Sequence, residues 1–239
     1  MLVDLIVEPM REDFILWRCL HGGPLNRQNI DVPPTNLGVD WPSARARNIP
    51  LLVKLTRTYG ACAIMARDGD DVVGTLRFYP MALCSFEDSG AGFCLQQRPP
   101  AGPADDLAAR GLPSLTAQAD KTLFVHCLMI TASPGEPERY RRKGLATRLA
   151  QELIRWAKGQ GWSAIEANAY EELPMLYAIS GVAGRRFWER MGFCLARQDT
   201  EPAISGDLLE TLRRDAVASG LDPQNVANRY RMRLDLTGR

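Results

Sequence analysis

This 239-residue chain has little histidine, no Cys-x-x-Cys pair, almost no net charge and no long apolar run. Each shortage excludes something. The six cysteines (Cys19, Cys62, Cys84, Cys94, Cys127 and Cys194) stand apart, and histidine occurs only at 21 and 126. No ligand set with structural-zinc spacing can be assembled from them, so no metal site is expected. Several of these cysteines sit inside apolar runs, as small buried hydrophobes do in a reducing compartment. A net charge of +1 gives no footprint of a dedicated nucleic-acid binder. No stretch reaches the ~18 consecutive apolar residues of a membrane span. The opening Met1–Glu8 breaks its apolar run with acids and carries no early basic residue, unlike a signal peptide. The expected location is the cytoplasm, with neither membrane nor nucleic acid as partner.

What is present reads as a globular α/β chain, long enough to bury a core without disulfides. Leu5 to Glu8 reads as a first strand. Arg11 to Leu20 has helical spacing of Phe14, Trp17 and Leu20. A Pro- and Gly-rich loop covers 21–48. Ile49 to Tyr59 reads as a helix with Pro50 in its first turn. Ala61–Ala66 and Val72–Tyr79 flank Asp68-Gly69-Asp70-Asp71, a hairpin signal. Residues 80–121 are irregular, the pattern of a lid, a binding loop or a disordered insert.

The second half is more regular. Leu123 to Ile130 is a nearly continuous apolar strand, as in strands buried on both faces. A basic turn follows at 139–143. Leu145 to Lys158 is an amphipathic helix ended by Gly159-Gln160-Gly161. Ser163 to Ala169 is the next strand, and the strand–helix–strand order implies a right-handed parallel crossover. A helix over 182–191, a strand over 193–197 and a helix over 208–218 come next. The final alternation Tyr230–Leu236 predicts a half-exposed strand near a sheet edge. Such an edge permits pairing between subunits, so a homodimer is one possible assembly.

The chemistry concentrates at Arg141-Arg142-Lys143-Gly144-Leu145-Ala146, which fits Arg-x-x-Gly-x-Ala between a strand and a helix. The first turn of a helix offers unpartnered amides at the positive end of its dipole, a docking place for a pyrophosphate. Gly144 removes the Cβ that would keep phosphates away, Ala146 keeps the next turn slim, and Arg141, Arg142 and Lys143 add charge. Alone the pattern is weak, because a solvated basic turn before an ordinary helix looks the same.

Its setting adds specificity. An apolar strand runs into this loop, the loop opens a long amphipathic helix, and Ala183-Gly184-Arg185-Arg186-Phe187-Trp188-Glu189-Arg190-Met191-Gly192-Phe193 follows. With these features, Leu123–Phe193 resembles the GNAT (N-acetyltransferase) superfamily. The resemblance implies a mixed α/β fold: a central mixed sheet with splayed parallel fourth and fifth strands and helices on both faces. It implies one GNAT-like domain over 1–239, with insertions at about 21–48 and 80–121 and a helix–strand extension at about 200–239. It further implies acetyl-CoA as acyl donor, an amine as acceptor, and direct attack of the amine on the thioester. Leu128, Met129 and Ile130 would meet the pantetheine arm, and the amides of Arg142 to Ala146 the pyrophosphate.

His126, on the implied fourth strand, is the candidate base, with a core histidine as the alternative. The usual tyrosine acid is replaced by Trp188, which has no ionisable proton to give near neutral pH, and the usual Asn is Gly181. Tyr170 and Tyr177, in the link after the fifth strand, are the candidate acids, with structural roles as the alternative. Glu166 reads more readily as an outward-facing carboxylate than as a base. Trp188 keeps open a second reading, a non-catalytic acyl-CoA-binding or regulatory protein on the same fold; a third is an interaction protein that uses 80–121 and the C-terminal helix as docking surfaces.

Overall fold

The computed structural model describes residues 5–32, 40–84, 121–131 and 139–237. Most of the 80–121 insertion lies outside the described residues. A seven-stranded mixed sheet runs through the molecule in the order β1-β2-β3-β4-β5-β7-β6. Its strands are β1 (Ile6–Pro9), β2 (Ala63–Asp68), β3 (Asp71–Pro80), β4 (Thr122–Ile130), β5 (Ala164–Ala169), β6 (Cys194–Thr200) and β7 (Asn228–Asp235). The helices are α1 (Trp41–Tyr59), α2 (Leu145–Gly159), α3 (Pro174–Ser180), α4 (Arg185–Arg190) and α5 (Gly206–Ala218). Among these helices none is long and apolar enough to cross a membrane.

β4 and β5 are parallel, as the crossover order implies, and every other pairing is antiparallel. The parallel pairing runs only from Thr122↔Ala164 to Val125↔Ala167. Beyond Val125 the two strands separate, and the rest of β4 faces a gap. β4 also carries a bulge against β3: Arg77 pairs with Cys127 and Phe78 with Val125, so His126 is the extra residue. Bulges of this kind re-aim side chains.

α2 supplies one face of the core. Leu145, Leu149, Leu153 and Trp156 fall at helical spacing and are buried with Leu76, Leu128 and Ile165 of the sheet. The helix is tied to the residue before β1 by Arg148, whose guanidinium donates to the Leu5 carbonyl at 2.7 Å. On the opposite face, α1 and the irregular segment 10–30 bury Trp17, Leu52 and Leu55 against Met65 and Tyr79.

Four local readings change. Arg11–Leu20 is not a helix. Its apolar residues are buried except for the partly buried Ile15, but core side chains fix the backbone instead of a helical ladder, and this tertiary context overrides the spacing. α1 begins at Trp41, where the Asp40 carboxylate accepts from the Ser43 amide at 3.2 Å, so Pro50 lies inside the helix and not in its first turn. The expected helix over 182–191 is confined to α4, and a separate helix, α3, precedes it. β7 lies between β5 and β6 and is not an edge; β6, exposed along nearly its whole length, takes that place. Alternation reports one solvated face, and the strand's lateral neighbours are a separate matter.

Candidate active site

The basic loop sits where the sheet splays. Tyr140 donates to Asp68 at 2.6 Å and Arg139 binds the same carboxylate at 2.9 Å, which ties the loop to the β2–β3 turn. Arg142 and Gly144 both adopt the left-handed region, with φ of 55° and 79°. The first helical bond runs from the Arg148 amide to the Gly144 carbonyl at 3.1 Å. The amides of Leu145, Ala146 and Thr147 therefore precede the ladder and point out of the helix end. A Cβ built on Gly144 would have no atom within 4 Å, so the cradle in front of these amides is open. This arrangement fits a pyrophosphate. Leu145 contributes only its backbone, because its side chain is buried in the core. Arg141, Arg142 and Lys143 are exposed around the cradle.

A cleft of about 770 Å³ opens beside this loop, and Arg141, Arg142 and Ala146 line one part of it. Leu128, Met129 and Ile130 of β4 line another, and Tyr170, Tyr177 and Phe187 face them from the link and helices beyond β5. The structure thus brings nine residues expected from the sequence and its resemblance to one place or its rim: 128–130, 141, 142, 144, 146, 170 and 177.

The gap edge of β4 is partly taken by the chain itself. The Leu128 amide donates to the Gly181 carbonyl at 2.7 Å, and the Leu128 carbonyl accepts from the Tyr177 hydroxyl at 3.2 Å. Gly181 ends α3 with φ of 64°, a conformation that lets the chain turn back against β4. Along a strand, backbone polar groups alternate sides. The Thr131 amide bonds Val73 on the β3 side, so the backbone of Ile130 faces the gap.

The two tyrosines differ. The Tyr170 hydroxyl donates to the Glu201 carboxylate at 2.8 Å, and Glu201 is fully buried. Burial and this carboxylate push the Tyr170 phenol well above its ordinary range. Its hydroxyl is committed to the fold. The Tyr177 ring is more than a third exposed, and its hydroxyl lies at the β4 edge within the cleft.

Trp188 does not line the cleft. It is buried at 1% exposure, with the Phe187 and Phe193 rings at 5.0 and 4.9 Å, and its indole Nε1 has no partner among the described residues. His126 does not line the cleft either; its ring lies 5.6 Å from that of Tyr79. Burial, with a smaller push from the Arg77 charge, depresses the His126 imidazole to about 4. Glu166 is paired with Arg233 at 2.8 Å and Arg231 at 3.4 Å. One further residue of the cleft, His21, comes from the N-terminal segment. Nothing in its local pattern distinguishes it, because the contacts that hold its segment over β4, such as Cys19 on Cys127 and Met129, are distant in sequence.

The depressed imidazole gives a stability signature. An unfolded His126 takes up its proton near 6.5 and the folded one only near 4, so the unfolded state binds more protons between these values. Stability then falls as pH drops through that window, by at most ~3 kcal/mol because the residue keeps some exposure. Urea midpoints at several pH values should show a steeper acid loss for the wild type than for His126→Leu. Equal slopes would mean a solvated imidazole.

The comparisons with known proteins follow this geometry. Residues 136–193, less than half of the chain, match the model of the acetyltransferase (GNAT) family. The 136–193 segment is similar to that family. It contains the cradle, α2, β5 and α4. Among solved structures, the chain is similar to an N-acetyltransferase from Staphylococcus aureus Mu50, with 13% identity, 98% of this chain and 99% of that one covered, and a TM-score of 0.49. It is similar to a candidate acetyltransferase from Salmonella typhimurium solved with its cofactor acetyl-CoA, with 12% identity, 99% and 96% covered, and a TM-score of 0.48. A GNAT-family acetyltransferase from Streptococcus pneumoniae gives 9% identity, 98% and 99% covered, and a TM-score of 0.47. A comparison with curated protein sequences finds no match. The GNAT-type fold rests on the strand order itself, with β4 and β5 parallel and then splayed.

Proposed function

We propose that this chain is an acetyl-CoA-dependent N-acyltransferase that moves an acetyl group to a primary amine by direct attack on the thioester. The observation that carries the reading is the cleft that begins where β4–β5 pairing stops and ends at the open cradle before α2. Bound there, acetyl-CoA supplies an activated acyl group on a thiol leaving group. The amides of Leu145, Ala146 and Thr147 hold its pyrophosphate, with Arg141, Arg142 and Lys143 adding positive field. The gap-facing backbone of Ile130 pairs with the pantetheine arm, and Met129 lines its path. Leu128 contributes apolar surface, since its own polar groups are satisfied. Of the candidate acids, Tyr177 is the one whose hydroxyl reaches the cleft with a carbonyl partner that it can leave.

The reading is tested by following thiol release from acetyl-CoA across a panel of primary amines. Amine-dependent release above background hydrolysis is the expected result. Tight acetyl-CoA binding without turnover on any amine would favour a non-catalytic acyl-CoA-binding protein, a reading supported by the buried tryptophan at 188. For Tyr177→Phe, kcat should fall by about 10²-fold, the usual size of a lost general acid, with KM for acetyl-CoA little changed. An unchanged kcat would remove Tyr177 from the chemistry.

A further inference from the structure

We propose that His21 is the general base of this reaction, receiving the proton of the acceptor amine at the cleft; this rests on the acyl-transfer reading above. His21 lines the same cleft as Leu128, Met129 and Tyr177. Its Nδ1 is shut off from solvent and has no hydrogen-bond partner among the described residues. Several buried side-chain atoms lack a partner among the described residues, Trp188 Nε1 among them, and His21 Nδ1 is the one carried by a residue of the cleft, where a ligand can complete it. A neutral imidazole offers one donor and one acceptor nitrogen, which is what an amine N–H needs.

The segment that carries His21 is held with unusual care for a stretch without helix or strand. The buried Arg77 guanidinium donates to the Leu16 carbonyl. The Asn48 amide donates to the Trp17 carbonyl at 3.1 Å. Arg18, itself buried, reaches the carbonyls of Ile30, Asn29 and Val32 at 2.8, 3.0 and 2.9 Å. Cys19 packs against Cys127 and Met129, which fixes the segment over β4. A turn then closes from the Gly23 amide to the Leu20 carbonyl at 3.3 Å, with His21 inside it. One guanidinium nitrogen of Arg77 and the side-chain nitrogen of Asn48 are spent on the backbone of residues 16 and 17, and Arg18 on that of residues 29, 30 and 32. Their combined effect is to preorganise the position of His21, as functional side chains on loops require.

The step balances as follows. The amine nitrogen gives its proton to the His21 imidazole as its lone pair forms the C–N bond. The C–S bond then breaks, the thiolate leaves with the electron pair, and Tyr177 or water protonates it.

The test compares the wild type with His21→Gln, His21→Ala and His126→Gln, using kcat/KM for amine against pH and acetyl-CoA calorimetry. His21→Gln should lose about 10²-fold or more in kcat/KM, the range for a general base, and keep acetyl-CoA affinity. The acid limb of its pH profile should disappear, added imidazole should partly restore His21→Ala, and His126→Gln should keep both rate and limb. A His21→Gln enzyme with its acid limb intact, or a loss of rate that imidazole does not restore, would overturn the assignment alone. A wild type that does not bind acetyl-CoA would overturn the acyl-transfer reading and this assignment with it.

Discussion

Gly144→Glu should abolish acetyl-CoA binding while leaving the protein folded. Two effects act together. Gly144 has φ of 79°, where a residue with a Cβ is strained by ~1–2 kcal/mol. The larger effect is charge. The space before Gly144 is open, so the fold accommodates the new side chain and its carboxylate stands where the pyrophosphate docks. Like charges ~4 Å apart near a protein surface repel by up to ~4 kcal/mol. Since ~1.4 kcal/mol is tenfold in affinity, the repulsion lowers affinity by up to ~10³-fold, while the strain falls on folding stability and not on binding. Gly220→Glu is the control, because Gly220 has φ of 70° and is equally open but lies beyond α5. It should bind acetyl-CoA normally. Retained affinity in Gly144→Glu would show that the cradle is not the phosphate site.

Glu201→Ala should be the most destabilising single change at the cleft's support. Glu201 is fully buried and accepts from the Tyr170 hydroxyl, from Arg229 at 3.3 Å and from the Ala203 amide at 3.3 Å. Removing it strands a buried phenol and half of a buried ion pair. Breaking such pairs costs ~3–5 kcal/mol. Arg229 keeps Asp199 at 2.7 Å, which favours the lower end of that range. For a chain of this size ~3 kcal/mol lowers Tm by ~6–12 °C. Glu201→Gln keeps an acceptor for Tyr170 and should lose less. A thermal melt of Glu201→Ala that matches the wild type would mean that Tyr170 is not held by this carboxylate.

The cradle and its frame were legible in the sequence because the information there is local. An apolar strand, a basic turn with glycine and an amphipathic helix are read over consecutive residues, and Arg141 to Ala146 form the turn and first residues of α2. The segment 11–20 was misread for the opposite reason. Its backbone is fixed by Arg77, Asn48 and by Arg18's reach to residues 29–32, and spacing does not record those contacts. α3 was missed because it is short, opens at Pro174 and lies in a link that reads as loop. Its consequence, the capture of both Leu128 polar groups by Gly181 and Tyr177, is a tertiary fact that only the assembled cleft displays. His21 belongs to the same class. His126 shows the converse: its place on β4 is legible, but the bulge that re-aims it is not.

A crystal structure with acetyl-CoA tests the central claim most directly. The pyrophosphate should lie on the amides of Leu145 to Thr147, the pantetheine arm in the gap beyond Val125 beside Ile130, and the thioester between Tyr177 and His21. Acetyl-CoA bound on any other surface, or a gap that stays closed by Gly181 and Tyr177 with saturating ligand, would contradict it.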